Sequence, residues 1–130
     1  KMSGRKDFLE AVCAANALVA ASDGEISDDE IKTSVATVSA NPVLAGGFKA
    51  AEISRTMDTM LKRAQSGRSG RMGLYKEIED VASQPDMGEM VYLAALDCAE
   101  ADGSVGDKER ATLNEIAKKL SLDPKKYANV

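Results

Sequence analysis

Apolar residues recur at helical spacing along the whole chain, and no stretch alternates as a half-buried strand would. The segment DFLEAVCAANALVAA, Asp7 to Ala21, is apolar on nearly every side and predicts a helix buried on most of its faces. After Asp23-Gly24 the pattern predicts a second helix from about Asp28, with Ile31, Val35 and Val38 on one face. Ser27 followed by Glu30 has the capping-box spacing that fixes its start, and Asn41-Pro42 should end it. A third helix is expected from Phe48 to Gln65, closing in SGRSGR, Ser66 to Arg71, whose composition reads as a mobile loop. A fourth is expected over Leu74 to Ser83. The fifth, Met87 to Ala101, is again mostly apolar, and the sixth, Asp107 to Leu120, turns Leu113, Ile116, Ala117 and Leu120 inward. Asp123-Pro124 should start a short seventh, with Asp123 as cap and Pro124 at the first helical position.

The second half of this pattern repeats the first. Asp23, Gly24, Ile26, Asp28 and Glu30 recur in order as Asp102, Gly103, Val105, Asp107 and Glu109, and Asp102 follows Asp23 by 79 residues without a gap in the motif. Each copy is an apolar helix, an Asp-Gly turn and an amphipathic helix. Only two copies exist and a dissimilar pair of helices separates them, so a solenoid is excluded. The expected fold is all-α: about seven helices in a single domain over residues 1–130, with duplicated helical hairpins packed as a pseudo-twofold bundle. Copy one covers about 7–40, the middle helices about 48–84 and copy two about 87–120.

Composition narrows the chemistry. A chain of 130 residues can bury a core without disulfides or a structural metal. There is no His and only two cysteines, Cys13 and Cys98, which excludes a conventional zinc site and a Cys-His nucleophile pair within one chain. Two isolated cysteines suggest a reducing compartment. No apolar run is long enough to span a membrane and no signal-peptide pattern is expected, although Lys1 stands ahead of Met2, as a tag or a preceding segment would leave it. The net charge of -4 and the scarcity of aromatic residues argue against nucleic-acid binding.

Charge is unevenly placed. From Thr59 through Lys76 every charged residue is basic: Lys62, Arg63, Arg68, Arg71 and Lys76. A solvated loop explains most such runs, and attraction to an anionic partner or to the inner leaflet of a membrane is the functional alternative, worth about 1 kcal/mol per basic residue near the surface. The two Asp-Gly turns carry the opposite sign. Carboxylates in a first helical turn are favoured by the helix dipole, so Asp28, Asp29, Glu30, Asp107 and Glu109 need no ligand to explain them. Asp23 and Asp102 stand at helix C-termini, where the dipole opposes an acid. If the two hairpins bring their turns together, six or more carboxylates gather, extended along the fifth helix by Asp97 and Glu100. Oxygen donors without His or Cys suit a hard divalent cation, calcium before magnesium.

An EF-hand fits in the second half of its loop but not in the first. Its first two ligand positions fall on Val19 and Ala21 in one copy and on Cys98 and Glu100 in the other, and three of those four are poor oxygen ligands. An enzyme fits worst, since nothing pairs a nucleophile with a base or forms a glycine-rich phosphate loop. Both cysteines lie on strongly apolar helices, where buried inert thiols are expected.

The stretches AASDGEISDDE and AEADGSVGDKERATLNEIAKKLSLDP resemble the paired signature of the tellurite-resistance TerB family, over most of the chain from about Ala11 to Tyr127. The resemblance implies an all-α fold of about seven helices with an internal duplication. It also implies a cytoplasmic, non-enzymatic protein of tellurium-resistance and stress-response operons, working with TerD-type calcium-binding proteins and the membrane protein TerC. The family's acidic site falls on Asp23 and Glu30, on Asp102 and Glu109, and on Asp28 and Asp107 as further contributors; Lys108 departs from the acid usual at its place. The expected function is a cation-binding scaffold. Its rival is a metal-independent interaction module whose acids cap helices or dock a basic partner.

Overall fold

The computed structural model describes residues 6–22, 26–100 and 105–127. Among them are seven α-helices and no strand: α1 Lys6–Ala20, α2 Asp28–Ser39, α3 Pro42–Gly47, α4 Ala50–Gln65, α5 Arg68–Glu79, α6 Pro85–Glu100 and α7 Asp107–Lys119, followed by a 3-10 turn, Pro124–Tyr127.

The apolar all-round pattern of α1 has the consequence expected of it. From Ala11 to Ala20 every residue is buried, because α4, α5 and α6 surround the helix and α2 and α7 close the remaining sides. The second apolar helix, α6, packs directly on α1 and buries Met87, Val91, Tyr92, Ala94, Ala95 and Ala99. The amphipathic helix of each hairpin packs on both apolar helices, α2 on α1 and α6, and α7 on α6 and α1. The two copies are not equally enclosed, since α4 and α5 both lie on α1 and so leave α6 nearer the surface.

Several boundaries differ from the sequence reading: the helix expected to reach Ser83 ends at Glu79, and the next starts at Pro85 rather than Met87. Asn41-Pro42 does end α2, but it also begins α3: the Asn41 carboxamide accepts from the Leu44 amide at 3.4 Å, Pro42 takes the first helical position, and Leu44 is buried. The third predicted helix therefore starts at Ala50 rather than Phe48.

The glycine-serine segment is the larger correction, for most of it is helix. Only Ser66 and Gly67 turn, Gly67 with a φ of 103°, and α5 runs from Arg68 to Glu79 where a loop to Arg71 was expected. The glycines serve close packing. A Cβ at Gly70 would collide with the Arg63 carbonyl oxygen, and one at Gly73 would lie 2.6 Å from the Arg63 guanidinium. Arg63 can thus lie across α5, donating to Glu77 Oε2 at 3.0 Å and to Met60 Sδ at 3.5 Å.

Candidate functional site

The two hairpins meet at a cleft of about 260 Å³. Its walls are the last turn of α1, with Val19 and Ala20, and the first two turns of α2, with Asp29, Glu30, Thr33 and Ser34. Cys98 of α6 and Glu109 of α7 complete it. Glu30 and Glu109 hold equivalent places in the repeat, and so do Val19 and Cys98, each pair separated by 79 residues. Two positions of one hairpin and the same two positions of the other thus line one space.

Local chemistry fixes both glutamates. Ser27 caps α2 through its hydroxyl, which accepts from the Glu30 amide at 3.1 Å, while Glu30 Oε1 accepts from the Ser27 amide at 3.0 Å. In the second copy Gly106 has no hydroxyl to offer, yet Glu109 Oε1 accepts from the Gly106 amide at the same 3.0 Å. One oxygen of each carboxylate is thereby committed to a helix start, which holds the side chain at the cleft wall.

The other predicted acids divide. Asp28 and Asp107 stand in first turns and are exposed, and neither lines the cleft. Asp29, which was assigned only a capping role, does line it. Asp97 is exposed, and Glu100 lines a different cavity. Asp23, Gly24, Asp102 and Gly103 lie outside the described residues. Among the described residues no three Asp, Glu or Cys side chains gather closely enough to hold a metal ion.

The cysteines part company. Cys13 is fully buried, and burial, with a smaller contribution from Glu10, pushes its thiol up to about 12. Cys98 is only half-buried because the last turns of α6 emerge beside the cleft, and its sulfur lies 3.8 Å from the Ser34 hydroxyl. Expecting both thiols to be buried was therefore correct for Cys13 alone.

Sequence reasoning also missed two buried polar residues, Ser34 on the cleft wall and Asn16 behind it in α1. Ser34 follows Glu30 by one helical turn, a spacing that could have been read as one face, and it is 2% exposed. Asn16 lies one turn before Val19 and Ala20 on the same face of α1, fully buried, with neither amide atom paired among the described residues. An unpaired buried amide costs about 1–3 kcal/mol, so a polar residue in so apolar a helix was itself a signal.

The basic run is not one patch. Lys62 pairs with Asp58 at 3.1 Å, and Arg63 is spent on Glu77. Arg68 and Lys76 are exposed on α5, with Met72 between them at 72% exposure, while Arg71 is half-buried. No described helix is long and apolar enough to cross a membrane.

No curated protein and no solved structure matches the chain at a significant level. The model of one family, tellurite resistance protein TerB, matches residues 9–130, a span that holds both hairpins, the helices between them and the cleft where they meet. By that match over nearly its whole length, the all-helical chain belongs to the TerB tellurite-resistance family.

Proposed function

We propose that this domain is a non-enzymatic, cation-dependent scaffold of tellurite resistance. Its two acidic turns act at one cleft, and a calcium-like divalent ion held there sets the surface on which other Ter proteins, of the TerD and TerC types, assemble. The observation that carries this reading is that Glu30 and Glu109, equivalent residues of the two copies, line a single cleft with Asp29. The donor chemistry fits calcium first and magnesium second, being carboxylate and hydroxyl oxygen. Glu30 and Glu109 would hold the ion, with Asp23 and Asp102 as the remaining ligands of the duplicated motif and Asp28 and Asp107 contributing field from the helix starts. The bound ion would supply charge neutralisation between turns that otherwise repel. A cytoplasmic location, with any approach to the membrane made through a partner, goes with this role.

A second reading rests on the capping bonds. Since Glu30 and Glu109 each hold an N-cap amide, the acids can be helix starts whose outward charge docks a basic partner without metal. Isothermal calorimetry with calcium at physiological salt separates the two. The scaffold reading predicts saturable heat that is abolished in a Glu30→Gln, Glu109→Gln double variant. Absence of heat from the parent protein up to millimolar calcium sinks the metal and leaves the docking module.

A further inference from the structure

A second cavity, of about 130 Å³, lies where α6, α7 and the closing 3-10 turn meet. That is room for about four waters, or for a molecule of six or seven heavy atoms. Its floor is apolar and aromatic, made by the buried Tyr92, Leu113 and Tyr127. The floor is also fixed. The Tyr127 hydroxyl donates to Glu89 Oε2 at 2.8 Å, and its ring lies 5.3 Å from that of Tyr92.

The rim carries both signs of charge. Glu100 comes from the last turn of α6, and Arg110 and Asn114 from successive turns of α7. Glu100 and Arg110 form no ion pair with each other or with any other described residue. Both act on the phenol of Tyr92 between them: burial pushes it up first, Arg110 draws it down and Glu100 pushes it up again. Opposite charges that face one small cavity without closing on each other complement a ligand that bears both. A guanidinium with a neighbouring carboxamide receives a carboxylate, and a carboxylate from the other helix receives an ammonium. The aromatic floor then takes a small apolar substituent and has no room for a long one.

We propose that this cavity binds a small free α-amino acid, its carboxylate at Arg110 and Asn114, its ammonium at Glu100 and its side chain over Tyr92 and Tyr127. An anion or an amine alone matches only one wall.

The test is a heteronuclear NMR titration of the intact domain with glycine and L-alanine, with acetate and methylammonium as single-charge probes. The amino acids should give saturable shifts at Tyr92, Leu96, Arg110 and Asn114 with about millimolar dissociation constants, the range open to so few atoms. Acetate and methylammonium should each bind about tenfold more weakly or worse, as should alanine to Arg110→Gln or Glu100→Gln, a loss of one charge-assisted contact. Both side chains are exposed, so these variants should keep the fold, and unchanged shifts elsewhere in the spectrum check that. Failure of every amino acid to saturate by about 50 mM, far above that range, overturns the proposal. Acetate binding as tightly as alanine also overturns it, since the site would then recognise an anion only.

Discussion

The two hairpins share a motif but differ in burial and in capping. In copy one the apolar helix α1 is enclosed on every side, and the turn that follows it leads into a full capping box at Ser27 and Glu30. In copy two the apolar helix α6 keeps an exposed edge, and the cap is reduced to the glutamate half, Glu109 on the Gly106 amide. What both copies retain is a glutamate held to its helix start at 3.0 Å and turned to the same cleft. Packing has diverged around an unchanged acid. That teaches which constraint is local to each hairpin and which belongs to the pair: of the two apolar helices α4 and α5 pack mainly on α1 and dictate its burial, whereas the cleft needs both copies.

Equivalent positions turn this contrast into measurements. Leu18 in α1 is 3% exposed, and its counterpart Asp97 in α6 is exposed. Leu18→Ala should cost about 2–5 kcal/mol in urea unfolding, and Asp97→Ala less than about 0.5 kcal/mol. Similar losses at the two sites would break the claim that the middle helices cover α1 and leave α6 nearer the surface.

The caps give a smaller difference. Ser27→Ala removes a hydroxyl that accepts a backbone amide and should cost about 1 kcal/mol. Gly106→Ser rebuilds the missing half of the box in copy two. Gly106 already has an extended backbone, φ -74° and ψ 168°, and a Cβ there meets only Glu109 Oε1 at 3.6 Å, an ordinary contact. The substitution should therefore stabilise by about 0.5 kcal/mol, and a loss of stability would show that the second helix start is built differently from the first.

The smallest expected effect is a pH dependence. Burial pushes the Glu10 carboxyl above its usual range, with Glu77 adding to the rise and Lys6 and Arg63 opposing it. Because the folded state then holds the proton more tightly than the unfolded chain, Glu10 favours folding at low pH. That contribution fades as pH rises from the ordinary carboxylate value of 4.5 through the raised one. Thermal melts of Glu10→Gln against the parent should show the variant gaining relative stability across that window and no further change above it. A constant difference from pH 3 to 8, about the span of carboxylate and histidine titration, would remove Glu10 as the cause.

Much of this was legible in the residues. The unbroken apolar face of Asp7 to Ala21 foretold a central helix, and Ser27 with Glu30 foretold a helix start to the residue. Both follow from local chemistry that needs no partner. What escaped was set by tertiary contact. Gly70 read as loop and Gly73 fell before the expected helix because their use, letting Arg63 pass over α5, exists only when α4 is alongside. The short α3 hid behind a proline that ends one helix and starts the next. Within the site, the acids were legible as a repeat, but sequence could not distinguish Asp29, on the cleft, from Asp28, off it. Nor could it place Cys98 on the wall, since its apolar helix reads the same on every side.

The central claim is that the two copies act as one site, and single variants test it most directly. Calcium titrations of Glu30→Gln and Glu109→Gln, followed by amide shifts of the residues that start α2 and α7, should show both helix starts responding together in the parent protein, and each variant weakening the response at both. Shifts confined to one turn, or a variant that silences its own turn and leaves the other untouched, would mean two separate turns and contradict the account.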